Sequence, residues 1–312
     1  MIKHKITTSL IACVLVIMGI AQQDPQFTQN MHNKLFPNPA VAGSKQAICA
    51  TMLGRYQWMA FDGNPETYML TVHGPVNIAK QNLGVGLTVS KDDLGNQGYF
   101  GAKGALAYRI PLAEGNIGFG LGIGMLNLAM EPFSNDDAID GVDQDAAINT
   151  VSTSDLGFDM DLGLYYHSDK LYVGFSSTHL TQPELKSTTF DVARHYFIMA
   201  GYNAELNPDF VLQPSVLAKS DAASTQLDLN LMLIYKQQFW AGLSYRWLDA
   251  IAPMIGVNWP VGDGNLKFGY SYDITTSLIK QYSNNTHEIM LGYCFEMQKK
   301  NNIDRHKTVR FL

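Results

Sequence analysis

The sequence predicts an all-β chain, a transmembrane antiparallel β-barrel of about fourteen strands with an amino-terminal segment before it and a short tail after it. Three observations predict it. The amino terminus has the parts of an export signal, and no later apolar run reaches the length of a spanning helix. Only 16% of residues are charged, against about 25% in typical soluble domains, while 11% are aromatic. Most of the chain also alternates apolar with polar or small residues at a period of two. In lipid every backbone N–H and C=O must be satisfied internally, so an exported chain of this kind without spanning helices closes a sheet on itself.

The first element is the signal. Met1-Ile2-Lys3-His4-Lys5 is basic, Leu10 to Ile20 is apolar, and Ala21 stands before Gln22-Gln23, which sets the expected cleavage after Ala21 and a signal peptide over 1–21. Cys13 lies inside the apolar run, with no small-residue box before it to suit a lipoprotein. Removing 1–21 takes Lys3 and Lys5 and no acids, moving the net charge from −6 to −8, so nucleic acid is not expected as a partner. Residues 22–46 are expected as a periplasmic segment, 47–296 as the barrel and 297–312 as a periplasmic tail.

Alternating segments follow at 47–58, 66–76, 82–90, 97–110, 115–128, 156–168, 170–178, 193–204, 209–219, 225–235, 238–247, 250–260, 264–274 and 286–296. Ile117, Phe119, Leu121, Ile123 and Met125 interleave with Gly118, Gly120, Gly122 and Gly124. Leu227, Leu229, Leu231, Leu233 and Tyr235 do the same with Gln226, Asp228, Asn230 and Met232. In a barrel the apolar face meets lipid; in the competing reading, an exported soluble β-sandwich, it would be the core. The connections separate the two. Ser168-Asp169, Lys236-Gln237 and Gly262-Asp263-Gly264 are short and join even to odd segments, whereas Ala129–Asp155, His179–Val192 and Thr275–Asn285 are long and join odd to even. That is the sorting of periplasmic turns and outer loops in a membrane barrel. Trp58, Trp240, Trp247 and Trp259 fall near segment ends, where an interfacial aromatic girdle would hold them.

Parity then assigns faces. Arg55, Asp228, Arg246, Lys267 and Asp273 share the polar side and should point into the lumen, because Arg or Lys facing lipid at mid-membrane costs roughly 2–4 kcal/mol. Inward charges of both signs favour a lumen filled by ion pairs over an open pore. Cys49 shares a face with Arg55 and Cys294 with Glu288, on first and last segments that become neighbours on closure. A seam disulfide forms if the register brings their Cα atoms within about 7 Å.

Other patterns carry less. The glycines at 118–124 do not sit between a strand and a helix as a phosphate loop would, so they read as small residues on a crowded wall. Asp136, Asp137 and Asp140, with Asp143 and Asp145, lie in the longest loop and invite a calcium reading, but Ala138 and Ala147 fall where ligands are needed. Asp143 and Asp145 are kept as candidate partner contacts on an acidic loop, and Lys307, Arg310, Phe311 and Leu312 as a candidate docking peptide in the tail. His73, His167, His179, His195 and His287 are scattered without metal-ligand spacing, and no nucleophile motif is present, so no cofactor and no catalytic residue is expected.

Several blocks, in order along the mature chain, resemble the PorP/SprF family of the type IX secretion and gliding system of Bacteroidetes. They include Gln23-Asp24-Pro25-Gln26-Phe27-Thr28-Gln29, Asn38-Pro39-Ala40-Val41-Ala42-Gly43, Arg55-Tyr56-Gln57-Trp58, Arg194-His195-Tyr196-Phe197 and Phe239-Trp240-Ala241-Gly242-Leu243-Ser244-Tyr245-Arg246. The resemblance implies an outer-membrane barrel that is not an enzyme. It implies one acting with type IX components in the periplasm, at the periplasmic ring or as partner to a secreted surface adhesin. A diffusion channel on the same barrel is the competing function.

Overall fold

The alternation builds fourteen barrel strands in the computed structural model, which describes residues 24–60, 63–78, 81–132, 151–185, 190–282 and 284–296. They are β1 (Ala47–Tyr56), β2 (Glu66–Ile78), β3 (Gln81–Leu94), β4 (Gln97–Leu112), β5 (Gly115–Met130), β6 (Thr153–His167) and β7 (Leu171–Thr178). β8 (His195–Tyr202, continued by Ala204–Asn207), β9 (Phe210–Ser220), β10 (Thr225–Tyr235), β11 (Phe239–Arg246), β12 (Ala250–Val261), β13 (Gly264–Thr275) and β14 (Thr286–Glu296) complete it. Each strand pairs antiparallel with the next, and β1 pairs with β14, so the sheet has no free edge.

The seam is in full register, with Cys49 opposite Cys294 and Arg55 opposite Glu288. The two cysteines are disulfide-bonded, their Cα atoms 4.0 Å apart. This settles the pairing that parity left open. Even-to-odd connections are all short, at 79–80, 113–114, 168–170, 208–209, 236–238 and 262–263. The three longest, 131–152, 179–194 and 276–285, all leave odd strands. One end of the barrel is therefore a rim of tight turns and the other carries the loops. The wall is uneven: β4 and β5 have 16 residues each and β7 and β11 only 8, where roughly 9–11 suffice to span.

Apolar side chains coat the outside, Phe119, Ile123, Leu231, Leu243 and Ile255 among them, each about half exposed. In water such a coat would be a penalty; against acyl chains it is the solvated surface. Trp247 and Trp259 are exposed near strand ends on opposite rims, as a girdle requires. Trp240 departs from that expectation. It is buried inside the barrel, 5.0 Å from the His32 ring, because its parity on β11 is inward.

The largest departure concerns the amino-terminal segment. Residues 24–44, expected in the periplasm, run through the barrel interior, and only Lys45 and Gln46 emerge to exposure just before β1. Thr28, Gln29, Asn38, Ala40 and Ala42 have no solvent exposure. The physical reason is on the inner wall, which a water-filled pore would keep polar. Here Leu53, Met69, Met232, Trp240, Met254 and Met290 face inward and close around Phe27, with Met31 and Phe36 packed beside it. Burying this apolar surface against the segment stabilises it in place at roughly 25 cal/mol per Å².

Candidate functional site

The segment is a plug held at two places. The first lies near the loop end of the barrel, where β1, β10, β11, β13 and β14 bring charges to one patch of wall. Arg55 reaches Glu288 at 3.1 Å and Asp273 at 2.9 Å, and Arg246 reaches Asp273 at 3.0 Å and Asp228 at 3.4 Å. All five side chains are at most 3% exposed. Thr28 of the plug occupies the centre. Its hydroxyl donates to Asp273 at 2.7 Å and accepts from Arg55 and Arg246, each at 3.1 Å. Glu288 completes the hold by accepting two consecutive backbone amides, Thr28 N–H and Gln29 N–H, both at 2.8 Å. Gln26 and Asn30 donate to the two oxygens of Asp228.

Buried charges at this density are tolerated only when each finds partners. The plug supplies several of them: an N–H pair for Glu288, a hydroxyl for Asp273 and both arginines, and side-chain amides for Asp228. Wall and plug are thus electrostatically incomplete without each other.

The second hold lies toward the turn end. Asn38 caps the short 3-10 turn Pro39–Val41 by accepting from Ala40 N–H at 2.9 Å, and its amide donates to the carbonyls of Leu164 at 3.0 Å and Phe175 at 3.3 Å. Arg109, 7% exposed, donates to the carbonyls of Ala40 and Val41 at 3.1 and 3.2 Å and also to that of Ala42. The wall facing this turn is made of glycine. A Cβ on Gly120 would strike the backbone of Ala40, one on Gly84 the carbonyl of Ala42, and one on Gly163 the side chain of Asn38. Gly118 and Gly120 of β5, with Gly84 and Gly163 on other strands, therefore form a groove for the plug backbone.

A third cluster joins the plug's first described residue to the loop end. His179, just after β7, lies 2.7 Å from Asp24 through Nε2 and 2.7 Å from Asp159 through Nδ1. His195, opening β8, accepts from Asp24 N–H at 3.3 Å, and Lys219 donates to the Asp24 carbonyl at 2.9 Å. Burial pushes the Asp24 carboxyl up, but His179 and His195 beside it override this and hold it well below the usual carboxylate range. Burial pushes the His179 imidazole down, and Asp24 and Asp159 together outweigh that to lift it to about 9.

Of the residues read as lumen-facing, Arg55, Asp228, Arg246 and Asp273 meet in one network, while Lys267 stands apart with Nζ 3.3 Å from His32 Nδ1. The network's other two members, Glu288 and Thr28, differ in how far the sequence marks them. Glu288 shares the inward parity of Cys294, but a threonine in an unpatterned segment gives no sign that it will meet two arginines. The histidines that look scattered in sequence are brought together at 179 and 195 because antiparallel pairing sets His195 opposite Thr178. Asp136, Asp137, Asp140, Asp143 and Asp145, with Lys307, Arg310, Phe311 and Leu312, lie outside the described residues.

The barrel is similar to solved outer-membrane channels. It aligns with the CymD monoaromatic hydrocarbon channel at a TM-score of 0.51 and 13% identity, covering 90% of this chain and 96% of that one. It aligns with the Pseudomonas putida toluene transporter TodX at 0.50 and 11% identity, covering 89% and 96%. At these identities the likeness is one of fold. No curated protein matches the sequence. The profile of the type IX secretion system membrane protein PorP/SprF matches residues 19–293, a span that takes in both plug anchors and nearly the whole barrel. The chain therefore belongs to the PorP/SprF family of type IX secretion system membrane proteins, on an outer-membrane β-barrel.

Proposed function

We propose that this protein is a binding and assembly component of the type IX machinery. It holds a partner at the outer membrane, assisting the secretion or surface retention of an adhesin-type substrate or anchoring the periplasmic ring, and it catalyses no reaction. The observation that carries this reading is the filled lumen. Residues 24–44 occupy the interior and are fixed to the wall at both ends, which leaves the rims and loops as the surfaces on which the barrel can act. A scaffold needs those surfaces and a rigid frame, not a conduit. Export through cleavage after Ala21 belongs to the same reading.

The channel reading draws on the fold's likeness to hydrocarbon channels. The two are separated by gentle detergent extraction followed by identification of co-purifying proteins, with surface adhesin measured in a deletion strain and conductance in planar bilayers. Co-purification of a secreted adhesin or periplasmic ring protein, adhesin loss on deletion, and silent bilayers are the expected results. Steady conductance from the intact chain, with adhesin still displayed in the deletion strain, overturns the proposal.

A further inference from the structure

The geometry points to a divalent d-block metal site, of the zinc class, formed by Asp24, His179 and His195. One ligand atom from each lies within 4.8 Å of the others. In a tetrahedral zinc site, with bonds of roughly 2.0–2.2 Å, neighbouring ligand atoms stand about 3.3 Å apart. Here His179 Nε2 lies 2.7 Å from Asp24 Oδ1 and His195 Nδ1 lies 4.0 Å from Asp24 Oδ2, so the two rings address the two oxygens of one carboxylate. The ion enters when the Asp24 carboxylate turns and His195 gives up its two present hydrogen bonds, Nε2 with Asp24 N–H and Nδ1 with the Ala193 carbonyl at 3.0 Å.

A second observation points the same way. His179 Nδ1 lies 2.7 Å from a fully buried Asp159 carboxylate, on the opposite side of the ring from Asp24. A carboxylate behind a histidine is the usual outer shell of a histidine-bound metal. Asp159 is not left as a competing free anion, because Lys103 pairs with it at 2.6 Å and with Asp161 at 2.9 Å. The donor set of two imidazoles and one carboxylate suits zinc and its neighbours, and not calcium or magnesium, which take oxygen. A small cleft lined by Asp24, Asp92, Tyr99, His179 and His195 adjoins the three groups. Metal entry displaces the proton between His179 Nε2 and Asp24 and moves the His195 proton from Nδ1 to Nε2. Its structural effect would be to staple the plug to the mouth of the barrel, since Asp24 belongs to the plug and both histidines to the wall and its loop.

The test uses the untagged, full-length protein in detergent, stripped with EDTA and titrated with zinc chloride by calorimetry. One zinc per chain is expected, with only nitrogen and oxygen neighbours in X-ray absorption, and no binding of calcium or magnesium at the site. H179Q and H195Q should abolish the uptake, and D159N should weaken it about 10–100-fold through His179. Folding of each variant is read from heat-modifiable migration. In the wild type, zinc should also slow hydrogen exchange at residues 24–29 and 179. Failure of the wild type to take up zinc saturably overturns the inference. So does uptake that survives H179Q and H195Q in folded barrels, or zinc that leaves exchange at 24–29 unchanged.

Discussion

Thr28 is the smallest side chain in the charged patch and the one on which it converges. Its hydroxyl serves Asp273, Arg55 and Arg246 at once, so Thr28→Val keeps shape and removes a donor and an acceptor from a buried ionic network. The expected loss in plug docking is about 1–3 kcal/mol, seen as faster hydrogen exchange at residues 26–30 with the barrel strands unchanged. Arg55→Met goes further. It strands Glu288 and Asp273 without their closest cation, a change that costs about 3–5 kcal/mol when a buried pair loses one member. Limited proteolysis of the amino-terminal segment should then become visible where the wild type resists. Equal exchange in T28V and wild type would show that the hydroxyl is dispensable. Parity made four members of this network legible in sequence, because a charge cannot face lipid. Thr28 was illegible because the segment carrying it has no period to assign a face.

At the scale of elements, the strands were readable and the plug was not, for one reason. A lipid-facing wall imposes a strict period of two, so fourteen segments announce themselves within a few residues of their ends. The plug is shaped by the cavity it fills and obeys no period. Its trace was present on the strands instead. Met232 stands at an inward parity where a water-filled lumen would call for a polar residue, and Gly118, Gly120 and Gly122 present a bare inner face. An apolar and bare inner face needs an occupant. Gly120→Val should therefore push Ala40 off the wall, leaving a barrel that still migrates as folded by heat modifiability but whose residues 38–44 become protease-accessible. The β1–β14 seam gives a second expectation at this scale. The Cys49–Cys294 bridge ties strands 245 residues apart, so reduction, or C49S/C294S, should speed unfolding of the barrel in denaturant without changing its strand content in circular dichroism. Identical unfolding rates with and without reductant would show that strand pairing alone governs the seam.

For the whole molecule, the plug decides between scaffold and conduit. Planar bilayers should stay silent with the intact protein and conduct when residues 24–42 are deleted, which would locate the barrier in the segment and not in the strands. Silence in both would mean that inward side chains close the lumen unaided. The family resemblance opened on two blocks, Gln23–Gln29 and Asn38–Gly43, and these contain the two anchors of the plug, so the chemistry of the interior was written there without its location being readable.

The direction of the plug also constrains the paths by which it can move. Asp24 lies at the loop end and β1 starts at the turn end, so the segment traverses the interior lengthwise before the first strand begins. The strands encircle it, and the disulfide at Cys49 joins the first strand to the last. With the wall closed on every side, the segment that precedes the strands can enter or leave the lumen only endwise, never sideways.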